Sequence, residues 1–154
     1  MPVNPGGLVY GTILVATLLA AESAKRETYA RTVAAVVVAL FVYWLAISYA
    51  AFTGERAERG EPFAYSALWR TASHELAVLY GASVPLLVLL VFWVAGVTLS
   101  AAVSAAIWTA AAMIVATEVV IGVRAELEGR ELIVQTGFGV VLGLLVIALR
   151  VLLH

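Results

Sequence analysis

Residues 76–117 read LAVLYGASVPLLVLLVFWVAGVTLSAAVSAAIWTAAAMIVAT, 42 residues without a charge. A straight helix of that length would measure ~63 Å, about twice the hydrocarbon core of a bilayer. The segment must therefore fold back on itself. Gly96-Val97-Thr98-Leu99-Ser100 is where the turn is expected. Two spans follow, near 78–97 and 101–123. Pro85 lies inside the first and can kink it. The second carries small residues four apart (Ala101/Ala105, Ala102/Ala106/Ala110, Ala112/Ala116), a pattern that lets helices approach closely.

Toward the N-terminus, residues 32–53 are uncharged and long enough for another span, with Tyr43, Trp44 and Tyr49 in its second half. Tyr49 suits the membrane interface. Tyr43 and Trp44 lie deeper and are expected to pack between helices. Residues 6–24 form a further apolar stretch of 19 residues, close to the minimum for a span. No Lys or Arg precedes Glu22, so the basic start of a secretory signal is missing and the stretch is expected to be retained. Between these two spans, Glu22/Arg26 and Glu27/Arg31 are acid-before-base pairs at helical spacing. No Gly or Pro lies between Thr12 and Thr53, so one extended or kinked helix over both spans also stays open.

Residues 54–61, GERAERGE, read as a polar loop, and Pro62 fits the first position of a helix over 62–77. There Tyr65, Leu68, Trp69, Ala72, Leu76, Leu79 and Tyr80 recur at spacings of three and four, with Arg70, Ser73 and His74 opposite. The pattern predicts a short helix lying in the interface. Toward the C-terminus, residues 124–131, RAELEGRE, form a second polar loop. A fifth span runs over 132–150 with Gly139 and Gly143 four apart, and Arg150 and His154 close it. Gly54-Glu-Arg-Ala-Glu58 and Gly122-Val-Arg-Ala-Glu126 echo one another, and five spans would place both on one side of the membrane.

The whole chain has 154 residues, 64% of them hydrophobic and 12% charged, with a mean hydropathy of +1.04. A soluble domain runs about 45–50% apolar and about 25% charged. The composition thus excludes an ordinary soluble domain, a disordered tail and a nucleic-acid binder. It indicates a single all-α membrane domain: a multi-pass bundle of five spans plus the interfacial helix, in contact with the lipid bilayer. The expected location is the plasma membrane of a bacterium. The chain has no Cys, which excludes disulfides, thiolate metal sites and thiol nucleophiles. No phosphate loop, nucleotide fingerprint or nucleophile–base set is present, so no cofactor and no enzymatic activity are expected. With the N-terminus inside, the inner side carries five Lys/Arg and the outer four, a slight preference for that orientation.

Few side chains remain for chemistry. Glu118 is the sharpest, because Val119 to Val123 separate it from Arg124 and place it more than a turn inside its span. An ionisable side chain there is costly and by default marks an ion or proton path. It could equally be a hydrogen-bonded Glu packed against Gln135 and Thr136 near the start of span five. His74 and Glu75, at the membrane surface before span three, could move a proton or hold a metal. Arg70 one turn earlier disfavours a cation, and a solvated interfacial face is the alternative. Glu22 could face a path, with a helix-end ion pair to Arg26 as the alternative. The remaining Glu residues alternate with Arg in the loops and read as solvated. Ser and Thr within the spans are expected to bond backbone carbonyls or bridge helices.

The segment Ala46-Ile-Ser-Tyr-Ala-Ala-Phe-Thr-Gly-Glu-Arg-Ala-Glu58, with His74-Glu75-Leu76-Ala77, resembles the vacuolar iron transporter family. That family ends its second span with a small-Glu-Tyr-x-Ser-x-Ser-Ser-Gln-Arg-acid run, matched here by Tyr49, Arg56 and Glu58, and opens its third with Glu-Leu-Ala. The resemblance implies five spans, a cytoplasmic loop after the second, and a homodimer. Ser48 stands where the family has a metal-binding Glu, Val9-Tyr10-Gly11 where it has Asn-Asp-Gly, and the acidic metal-binding insert is missing. Three functions are therefore open. The first is a small transporter or channel for a proton or small cation using Glu118, the second a non-transporting accessory subunit, the third a divergent divalent-metal transporter.

Overall fold

The computed structural model describes residues 4–21, 28–60, 62–127 and 129–153. It is 89% helical, with no strand among the described residues. In chain order the helices are α1 Pro5–Ala21, α2 Tyr29–Arg59, α3 Tyr65–His74, α4 Leu76–Val94, α5 Leu99–Arg124 and α6 Arg130–Leu153. Helices α2, α5, α6 and the near-continuous α3–α4 rod are long and apolar enough to cross a membrane, and α1 is a shorter apolar helix. The chain is an all-α integral membrane bundle. Large apolar side chains stand outward in rows, such as Val38, Phe41, Val42 and Leu45 on α2, and Val141, Leu144 and Leu145 on α6. In a bilayer these meet acyl chains rather than water.

The shortest apolar helix is the axis of the bundle. Helix α1, 17 residues long, packs against α4, α5, α6 and α2. Val15, Ala16, Leu19 and Ala20 are fully buried against Leu89, Ala102, Ala106 and Ala110. Between apolar helices in lipid, contact area and close approach hold the pair together, so small residues favour the crossing. Gly7 and Gly11 on α1 face Ala77, Val78 and Gly81 on α4. A methyl added at Gly11 would collide with the Val78 carbonyl, and one at Gly81 with the Leu8 carbonyl. The two backbones touch, and only glycine fits.

A proline completes this crossing. Pro85 is buried inside α4. It has no N–H to give the carbonyl of Gly81 four residues earlier, and an unpaired carbonyl inside a bilayer is unfavourable. The Thr12 hydroxyl, itself buried, lies 2.9 Å from that carbonyl and 2.9 Å from the Leu8 carbonyl of its own helix. Thr12 thus supplies from α1 the donor that Pro85 removes from α4.

At the other end, the Tyr29 hydroxyl donates to the Val97 carbonyl at 2.7 Å, and its ring stacks on Trp93 at 5.6 Å. This ties the start of α2 to the end of α4. Tyr43 stacks on Tyr10 at 5.2 Å, and the Trp44 indole N–H donates to the Ala72 carbonyl at 3.0 Å. Both aromatic rings pack between helices, as their depth in the sequence suggests.

The boundaries depart from expectation at three places. Residues 54–59 are helix, not loop: α2 runs to Arg59 and stops at Gly60, whose left-handed φ of 64° closes it. Polar residues with helical charge spacing continue a helix past the membrane until a breaker intervenes. Arg56, over Phe52 and Phe63 at 5.4 and 5.6 Å, fastens this extension to the following segment. Pro62 does not start a helix; α3 begins at Tyr65 after an extended Ala64 and ends at His74. The turn between α4 and α5 falls at residues 95–98, with Gly96 at φ 71°, and Leu99 already opens α5.

Candidate functional site

Helix α5 presents three faces, and its sequence sets them. Leu99, Ala102, Val103, Ala106, Ile107, Ala110 and Ile114 are buried in the bundle core. Ala111, Val115, Glu118 and Gly122 meet α6. Met113, Ala116, Thr117, Val120, Ile121 and Arg124 line a groove against the start of α1.

Glu118 belongs to the α6 face. Gly139 lies against its stem, where an added methyl would come within 2.8 Å of Cγ. Next along the interface, a methyl at Gly143 would meet Ala111 at 3.4 Å. These glycines bring α6 onto α5 and make room for the Glu118 side chain. The Gln135 amide N–H donates to Glu118 Oε2 at 3.1 Å, which is the neighbour the sequence suggests for it. The carboxylate also faces outward. With Gln135, Arg130, Glu131, Val134 and Phe138 it lines an open groove of about 670 Å³. Glu131 and Gln135 are one turn apart on α6. Glu118 lies six residues inside the end of α5, about 9 Å along the axis. Polar side chains therefore form a file from Arg130 and Glu131 through Gln135 to Glu118. Beyond it the α5–α6 contact is small and apolar.

His74 and Glu75 meet where α3 ends and α4 begins. Adjacent residues on a continuous helix diverge by about 100°. Here the chain breaks at Glu75, and His74 Nδ1 lies 3.4 Å from Glu75 Oε1. The two side chains differ in surroundings, 60% exposed for His74 and 14% for Glu75. Glu75 lies within electrostatic reach of Tyr43, the ring stacked on Tyr10. With Ala51, Glu55, Arg70 and Thr71 the pair lines a second cavity, of about 430 Å³. The sequence reading missed this gathering of Tyr10, Tyr43 and Glu75, because each comes from a different helix. Tyrosines in apolar spans are the one local signal that could have pointed to it.

Glu22 lies outside the described residues. Among the described residues no three His or Glu side chains come together in a way that could hold a metal ion. Thr17, Ser83, Ser104 and Thr109 donate to carbonyls three or four residues earlier, the ordinary role of hydroxyls in apolar helices. Ser48 is buried, and its hydroxyl has no partner among the described residues. No family model, curated protein or solved structure matches the chain.

Proposed function

We propose that the protein moves protons or a small cation across the membrane, with Glu118 as the carboxylate that takes up the ion. One observation carries this reading: the polar file Arg130/Glu131–Gln135–Glu118, which leads from the membrane surface to the one carboxyl set inside α5. A carboxyl at that depth is costly unless it is paired or used. The Gln135 amide donates to it and orients it, and a neutral amide adds no charge to the site. The small-residue contact beyond Glu118 would be the gate, and the homodimer implied by the family resemblance belongs to the same proposal. The test is flux in proteoliposomes with imposed gradients of protons, alkali cations and divalent metals, wild type beside Glu118→Gln. The expected outcome is a flux that Glu118→Gln abolishes while the protein stays inserted and monodisperse. Equal flux in both would end the proposal.

A second reading rests on the centre of the bundle. Leu19, Leu89 and Ile107 are fully buried there, within a cluster of apolar side chains. A sealed bundle with an outward-facing carboxylate also suits an accessory subunit whose Glu118 pairs with a donor on a partner's helix. Absence of flux for every ion, together with a partner that co-purifies with wild type and is lost in Glu118→Gln, would favour it.

A further inference from the structure

The groove between α1 and α5 lies on a different face of α5 from Glu118, and it has its own chemistry. Met113, Ala116, Thr117, Val120, Ile121 and Arg124 recur at spacings of three and four, so they form one stripe along the helix axis. Pro5 and Leu8 form the other wall, and the groove encloses about 730 Å³. From Met113 to Arg124 is 11 residues, or roughly 16 Å along the membrane normal. Its lining is apolar except for Thr117 and, at the surface end, Arg124. Arg124 is exposed and makes no salt bridge among the described residues. A long apolar slot parallel to the acyl chains, with a single guanidinium at its mouth, is complementary to an amphiphile with an anionic head. A second groove, lined by Leu87, Leu90, Val91, Val94 and Ala95, has no charged residue at all.

We infer that the α1–α5 groove is a binding site for one acyl chain of an anionic phospholipid, whose headgroup phosphate is held by Arg124. A guanidinium matches phosphate with two parallel N–H donors, whereas Lys would offer only a point charge. A basic residue at a lipid surface favours an anionic headgroup by about 1 kcal/mol, which corresponds to about a fivefold preference. The site is independent of the ion path proposed for Glu118, and Glu118→Gln leaves it intact.

The test is lipid binding to the full chain in neutral detergent. It is read by native mass spectrometry and by the shift in thermal midpoint, with dioleoyl phosphatidylglycerol, dioleoyl phosphatidylcholine and oleate as probes. Wild type is expected to bind phosphatidylglycerol about fivefold more tightly than phosphatidylcholine. Arg124→Gln is expected to bring the two lipids to parity. Ala116→Trp, at an exposed position on the groove floor, is expected to displace both lipids without touching the core. Val91→Trp, in the uncharged groove, is expected to leave both affinities unchanged. The proposal is overturned by equal binding of the two lipids to wild type, by a preference that survives Arg124→Gln, or by Ala116→Trp binding as wild type does. Oleate binding as tightly as phosphatidylglycerol would assign the slot to a free fatty acid and overturn the phospholipid assignment.

Discussion

Thr12 and Pro85 depend on one another. Proline inside α4 is tolerable because a hydroxyl from another helix takes its freed carbonyl, and that hydroxyl is held in place because α1 and α4 touch at Gly11 and Gly81. Thr12→Val keeps the shape and removes the donor. The expected cost is about 1 kcal/mol, in line with interhelical hydrogen bonds in membranes. Thr12→Ser should retain most of the stability, as should Thr12→Val in a Pro85→Ala background. Thermal unfolding of the four proteins checks this; equal melting of Thr12→Val and wild type would remove the Thr12–Pro85 account. Glu118 shows the same dependence on a neighbour's size. Gly139→Ala would press its methyl on the Glu118 stem and move the carboxyl off Gln135. If Glu118 carries the ion, the expected result is a loss of flux with the fold retained, while Gly137→Ala, which meets nothing within 4 Å, has no effect. Glu118 and its Gln135 neighbour were legible because a lone acid in an apolar run stands out. Thr12 was legible only as one hydroxyl among several, since its partner carbonyl lies 69 residues away.

At the level of the helices, the apolar runs foretell their number and nearly all of their order, because each run must cross or lie on the membrane. Their relative importance is hidden. The 17-residue α1 reads as the weakest span, yet it is the most enclosed. The reason is geometric: Gly7/Gly11 and Ala77/Gly81 repeat at four residues, the same small-residue spacing that is conspicuous in α5 and α6. In α1 and α4 it lies among larger apolar residues and is easily passed over. Gly11→Ala and Gly81→Ala are each expected to destabilise by about 2 kcal/mol or more, because the obstacle is backbone and cannot rotate away. Gly143→Ala should cost far less, since its methyl would meet Ala111 at ordinary contact distance. A series of chemical or thermal melts in one detergent ranks them; Gly143→Ala as damaging as Gly11→Ala would contradict the backbone-contact argument. The misplaced ends of α2 and α3 have a simpler origin. Hydropathy marks where the membrane ends, and a helix with well-spaced charges continues until Gly60 stops it.

Across the whole molecule, the topology groups the polar segments. Gly7 of α1 lies on Ala77 near the start of α4, and Gly122 near the end of α5 lies on Leu132 near the start of α6. Trp44, at the middle of α2, bonds α3. The start of α1, the end of α2, α3, and the α5–α6 turn therefore share one end of the bundle, and the two similar Gly-x-Arg-Ala-Glu segments both lie there. The α4–α5 turn and the start of α2 lie at the other, joined through Tyr29 and Val97. The absence of native Cys allows a direct check. Ala57→Cys, Ala125→Cys and Ala95→Cys all fall at exposed positions. An impermeant maleimide added to sealed, right-side-out vesicles should treat Ala57→Cys and Ala125→Cys alike and Ala95→Cys oppositely. The end bearing Ala57 and Ala125 also carries Arg56, Arg59, Arg70, Arg124 and Arg130. The positive-inside tendency then predicts that those two are protected and Ala95→Cys is labelled. Labelling of Ala57→Cys but not Ala125→Cys would break the five-span topology. All three labelled to half extent would mean that the nearly balanced charges let the chain insert both ways. The groove under Glu118 would then open to both compartments, on different copies.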